Sequence, residues 1–187
     1  VTAQVYDINS RKVFAESATV NLPEDGVAND ALTIRFPENI SQVHFIKLIL
    51  KDERGKDVSS NFYWRSNDKY EGKNTLTGPA ASGFDDLSQL KQTNVKLAYE
   101  GREDENKCCV DITLRNTSDE IDFLRRLQFL DGKKSRIRPA FYTDNFFSMM
   151  PGEKKTVTIE TATEKLKGGA VLVLKGWNVV SREYKLK

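Results

Sequence analysis

Side chains able to break bonds are few in this chain, and they lie far apart. His44 is the only histidine, and it sits in "VHFIKLIL" in phase with Ile46 and Leu48. One histidine excludes Ser-His-Asp and Cys-His chemistry unless His44 itself serves; packing in the core or at a sandwich rim is the expectation. The two cysteines are neighbours, Cys108 and Cys109. Successive side chains on a strand point to opposite faces, so the two are not expected to bridge. Cys108 shares its phase with Val110, Ile112 and Leu114, which predicts a buried thiol. Cys109 shares its phase with Asp111, Thr113 and Arg115, which predicts an exposed one. No His/Cys cluster has metal-ligand spacing, and no Gly-rich phosphate loop occurs, so neither a metal nor a cofactor is expected.

The carboxylates follow the same pattern. Glycoside cleavage needs two acids in different environments, one of them with a raised pKa. Glu103-Asp104-Glu105 reads as a solvated turn, Asp85 and Asp86 as helix-start residues, and Asp7 and Asp144 stand alone. "KKSRIR", Lys133 to Arg138, is a short basic run in a hairpin, and nothing else in the chain supports nucleic acid as a partner. Asn39 and Asn116 each head a glycosylation sequon, a motif too common to decide anything. Aromatics remain. Trp64 and Trp177 each lie near a strand end, and an in-phase Trp more often fills a sandwich core than faces solvent. The alternative is stacking on sugar rings, for which Trp64, Tyr70 and Tyr142 are the candidates, within the rows Tyr63, Trp64, Tyr70 and Phe141, Tyr142, Phe146.

The elements that must position these residues are almost all strands. The chain has 187 residues, 39% hydrophobic and 30% charged, a balance suited to one or two globular domains. A net charge of +2 provides no overall field to steer nucleic acid or an anionic membrane toward it, and no apolar run is long enough for a spanning helix. Neither partner is expected. Alternating runs bounded by turn residues predict strands at Val1, Ala3 and Val5 before a turn at "NSRK", and at "VFAESATVNL", "ALTIRF", "VHFIKLIL" and "VSSNFYWRS", with Gly55 supplying a positive φ in one hairpin. Residues 67–91 read as a linker rich in Asn, Gly, Ser, Thr and Pro, ending in a short helical turn that buries Leu87 and Leu90. A second series of strands fills 92–187 at short, regular spacing.

That spacing predicts an all-β chain of two tandem immunoglobulin-like antiparallel sandwiches. The second, 92–187, has the seven or more strands such a fold needs; the first, 1–66, has five. The chain opens in strand-like alternation without an initiator Met, and the first sandwich is expected to be truncated at its N-terminus. An incomplete sandwich leaves an open edge, through which a homodimer is expected.

The motifs carry a resemblance. "VHFIKLILKDERGKDVSSNFYWRS", with Asn61, Tyr63 and Trp64, resembles the penultimate C-terminal sandwich of family 2 glycoside hydrolases of the β-mannosidase and exo-β-glucosaminidase type. The last domain of those enzymes is similar at Asp144-Asn145-Phe146-Phe147-Ser148, Pro151-Gly152-Glu153 and Gly176-Trp177-Asn178. Order and spacing match across nearly the whole chain. The resemblance implies a retaining glycosidase whose catalytic glutamates lie on a (β/α)₈ barrel absent from this sequence. No catalytic residue carries over to any position here. It implies a non-catalytic accessory region whose partner is the remainder of the parent enzyme, and a periplasmic or extracellular bacterial setting. Two alternatives stay open: a carbohydrate-binding module that takes glycans, and interaction domains of a surface protein. On the residues alone, Asp144 and Asn145 are expected to bond nearby backbone, Asn145 to Met150 to form a strand, and Pro151-Gly152 a tight turn.

Overall fold

The structure, a computed structural model, describes residues 1–67, 82–104 and 106–186. The chain is all-β; its described residues form antiparallel sheets and two short 3₁₀ helices, and it divides into two compact units, Val1–Leu90 and Lys91–Lys187.

The first unit holds one four-stranded sheet, β1 (Thr2–Asp7), β2 (Lys12–Ser17), β3 (Val43–Lys51) and β4 (Asp57–Ser66), in the order β2-β1-β3-β4. The β1–β3 register places Ala3, Val5, Asp7 and His44 on one face, all buried. Tyr6, Val43 and Phe45 are buried on the other, where Phe62 stacks on Phe45 with ring centroids 5.8 Å apart. A 3₁₀ helix, Ser82–Gln89, packs against β3 and buries Leu87, with Leu90 half-buried beyond it.

Four strands form in this unit, not the expected five. "ALTIRF" is irregular, and β2 stops at Ser17. Alternation creates a strand only where a neighbour supplies a hydrogen-bond ladder. Here Phe36 packs on His44 instead (centroids 5.1 Å apart), with the Arg65 guanidinium 4.9 Å above its ring. The rest of the expected linker before Ser82 lies mostly outside the described residues.

The second unit is a sandwich of two four-stranded sheets. One is β5 (Val95–Asp104), β6 (Lys107–Asn116), β10 (Lys154–Ala162) and β8 (Phe141–Tyr142), in the order β5-β6-β10-β8. The other is β12 (Arg182–Leu186), β11 (Ala170–Lys175), β7 (Asp122–Asp131) and β9 (Phe147–Met149), in the order β12-β11-β7-β9. Inward positions recur every second residue. Cys108, Val110, Ile112 and Leu114 on β6 meet Leu127 and Phe129 on β7, Val157 and Ile159 on β10, and Leu172 and Leu174 on β11. Cys108 is buried, as the alternation predicts; Cys109 is half-buried rather than exposed, and neither is in a disulfide. Glu103-Asp104 extends β5 rather than forming a solvated turn, with Glu103 opposite Cys108.

Three hairpins share one device. Asp7, Asp52 and Asp131 each accept through Oδ1 the N–H groups two and four residues on, at 2.8–3.0 Å. The residue three on is left-handed in every case: Ser10, Gly55 and Lys134. An Asp side chain thus replaces the missing strand partner at the bend. In the third hairpin the positive φ thus falls at Lys134 and not at Gly132; Gly132 is needed because a Cβ there would collide with the Gly168 carbonyl.

Candidate functional site

Apart from Asn61, Tyr63 and Trp64 on β4, the motif residues lie in the second unit, on β9, in the loop after β11 and in the turns beside β6. Each polar side chain there has backbone to satisfy. Pro151 and Gly152 take the central positions of a type II turn, with Gly152 at φ +77 and the Glu153 N–H donating to the Met150 carbonyl at 3.1 Å. Glu153 closes the turn by accepting the Met150 N–H through Oε2 at 3.0 Å. Asn116 ties this turn to β6. Its N–H donates to the Glu153 carbonyl (2.9 Å), and its carbonyl accepts from the Gly152 N–H (3.1 Å). Its side-chain amide donates to the Glu120 and Met149 carbonyls at 2.8 and 3.0 Å. Asn116 is fully buried, which removes it as a glycan acceptor; Asn39 is exposed.

Asn178, in the Gly176-Trp177-Asn178 motif, acts in the same way. Its Oδ1 accepts the Phe123 N–H at 2.9 Å, and its Nδ2 donates to the Lys91 and Ile121 carbonyls at 2.8 and 2.7 Å. Its own carbonyl accepts the Thr93 N–H at 2.8 Å. One side chain thereby joins the start of the unit to β7.

Asn145 does not begin a strand running to Met150 as expected. Phe146 is left-handed at φ +58, and β9 runs only from Phe147 to Met149. The reversal exposes Phe146 and turns Phe147 and Met149 into the core. It is held because Asn145 Oδ1 accepts both the Leu127 and Phe146 N–H groups, at 2.8 and 3.0 Å. Asp144 accepts the Asn145 N–H (2.7 Å) and pairs with Lys155 (2.6 Å).

Asp122 and Arg125 form an ion pair that the sequence reading does not single out. Both are at most 1% exposed, and Asp122 Oδ2 accepts from Arg125 Nε and Nη2 at 2.9 and 2.7 Å. Burial raises the Asp122 pKa, against the pull of Arg125 and Thr93. A pair without access to solvent or substrate anchors the fold and transfers no proton to a ligand. The signal is present in "FLRRLQF": Arg125 occupies the inward phase shared by Phe123, Leu127 and Phe129.

The candidate sugar-contacting residues meet different fates. Trp64 is 42% exposed on β4, opposite Phe45 in register, and Trp177 is 57% exposed with its ring edge-on to Phe123 at 6.4 Å. Both correct the expectation of core-filling tryptophans: Trp64 lies on an edge strand and Trp177 in the loop after β11. Tyr142 is half-buried against the sandwich core, its hydroxyl accepting the Phe129 N–H at 3.0 Å. Burial raises the pKa of that hydroxyl. Tyr70 lies outside the described residues. Trp64 and Tyr142 belong to different units.

His44 is buried in the first unit, and burial lowers its pKa. Burial raises the pKa of the Cys108 thiol. Among the described residues, no three His, Cys, Asp or Glu side chains are placed to hold a metal ion, and no helix is long and apolar enough to cross a membrane.

A sandwich of two four-stranded antiparallel sheets, stapled by buried asparagines, places the chain among immunoglobulin-like β-sandwich proteins. The family model of the exo-beta-D-glucosaminidase Ig-fold domain matches residues 75–179, and the chain belongs to that family. An exo-beta-D-glucosaminidase of Amycolatopsis orientalis is 28% identical over 191 residues, covering 95% of this chain and 18% of that protein. One of Streptomyces avermitilis is 27% identical over 198 residues, covering 97% and 22%. The crystal structure of Amycolatopsis orientalis exo-chitosanase superposes with a TM-score of 0.85 at 24% identity, over 99% of this chain and 23% of that one, a likeness in fold. The chain thus spans about a fifth of the length of these curated relatives.

Proposed function

We propose that this chain is a non-catalytic accessory region of a larger retaining glycosidase that releases β-linked glucosamine. Its parent is closer in kind to the exo-β-glucosaminidases than to the β-mannosidases, since the reported relatives carry the former name. The supporting observation is the use made of the motif residues. Asn145, Asn178 and Glu153 bind backbone, so the motifs build a sandwich, and outside them Asn116 and the sealed Asp122–Arg125 pair do the same. The work of the region is mechanical: packing against the parent's barrel and supporting the rim of its active site. Purified chain should release no nitrophenol from an aryl β-D-glucosaminide. Turnover that follows the chain through chromatography would refute this reading.

A second reading draws support from the exposed tryptophans. Trp64 and Trp177 each present a ring to solvent, the surface on which sugars stack in binding modules. A shift of tryptophan emission on adding glucosamine oligomers would favour it.

An association of two copies is proposed through β4. This ten-residue strand ends its sheet and contains neither Lys nor Pro, the residues that blunt an open edge.

A further inference from the structure

The run Lys133 to Arg138 has a consequence in three dimensions. Lys134 is neutralised by Glu183 at 2.8 Å. Arg136 and Arg138 instead line a groove of about 420 Å³ that Arg126 on β7 also lines. Tyr142 and Phe146 complete it, with Arg126 5.6 Å from the centre of the Phe146 ring. No carboxylate lines the groove, and among the described residues none of the three arginines makes an ion pair. Arg126 and Arg136 both act electrostatically on the Tyr142 hydroxyl. That hydroxyl accepts the Phe129 N–H, which leaves its own proton for an acceptor in the groove.

Three like charges converging on one groove repel each other, and the chain's 29 basic and 27 acidic side chains are otherwise close to balance. Guanidinium groups are the side chains suited to forked hydrogen bonds with carboxylates. Arg136, Arg138 and Phe146 are exposed, so the groove is open along its length. An extended chain fits such a site better than a small molecule, which takes an enclosed pocket. Extended nucleic acid would need a longer basic track than one groove.

We propose that the groove between β7 and residues 136–146 binds an acidic polypeptide segment, whose carboxylates are held by Arg126, Arg136 and Arg138 while an apolar side chain rests on Phe146. This holds whatever the parent enzyme cleaves. The test is calorimetric titration of the full chain with oligoglutamate at low ionic strength. One-to-one binding is expected, weakened severalfold by moderate salt and about tenfold weaker in R136Q/R138Q, with oligoglutamine silent. Both arginines are exposed, and circular dichroism verifies that the variant is folded. A second variant, R136E/R138E, should reject oligoglutamate and accept oligolysine. Absence of binding at millimolar peptide overturns the proposal, as does unchanged affinity in either variant. Tighter binding of a single-stranded oligonucleotide, or equal competition by inorganic phosphate, overturns the commitment to a peptide.

Discussion

The side-chain amide of Asn145 brackets the backbone of Leu127: Oδ1 accepts the Leu127 N–H at 2.8 Å while Nδ2 donates to the Leu127 carbonyl at 2.9 Å. These are the two bonds a neighbouring strand would make, supplied by one side chain where β9 has not yet begun. Asn145→Ala removes both and leaves the backbone of β7 partly unsatisfied. A loss of about 2–4 kcal/mol is expected, read as a lower urea midpoint. An unchanged midpoint would show that water replaces the amide.

Gly132 and Gly152 should answer substitution differently. A Cβ at Gly132 meets the Gly168 backbone, whereas one at Gly152 meets nothing within 4 Å and strains only the positive φ. Gly152→Ala should cost about 1 kcal/mol, and Gly132→Ala clearly more. Thermal unfolding followed at Trp177, in a Trp64→Phe background, reports on this unit alone because each unit has one tryptophan.

The Asp122–Arg125 pair separates breaking an ion pair from replacing it. Arg125→Met strands a buried carboxylate and should destabilise by about 3–5 kcal/mol. Asp122→Leu with Arg125→Met removes both charges and should recover much of that loss. A double variant as weak as the sum of the two singles would show that the charges do not interact.

Stability of the first unit should fall with acid. The His44 pKa is lowered in the folded state, so the unfolded chain takes up a proton first as pH drops. The contribution is intact above about pH 6.5 and shrinks as pH falls through and below that value. His44→Phe should lose this component while keeping the contact with Phe36. The readout is the urea midpoint followed at Trp64, at neutral pH and about one and a half units lower.

Association through β4 predicts a sedimentation coefficient that rises with concentration and is held at the monomer value by Ser60→Pro. This substitution places a residue without an N–H on the open edge. A single species at every concentration would refute the edge pairing.

Much of the second unit is legible from period-two alternation. Cys108, Val110, Ile112 and Leu114 mark a core face because β6 is regular over ten residues. Alternation fails where a side chain takes over the work of backbone. Phe146 reverses out of phase because Asn145 holds it, and "ALTIRF" stays irregular because no ladder partner meets it among the described residues. The tryptophans mislead for another reason: alternation assigns a face, and burial also requires something opposite that face. Asp122–Arg125 lies in plain view as a charge in the inward phase, but its partner sits across a bulge that shifts the register between Asp122 and Arg125.

The claim that motif residues build rather than react is tested most directly at Asn178. Its amide joins Lys91, Ile121 and Phe123 inside the fold. Unfolding of Asn178→Ala, measured beside its calorimetric affinity for glucosamine oligomers, should show a loss of several kcal/mol and no change in sugar binding. Undiminished stability with sugar affinity abolished would contradict the account.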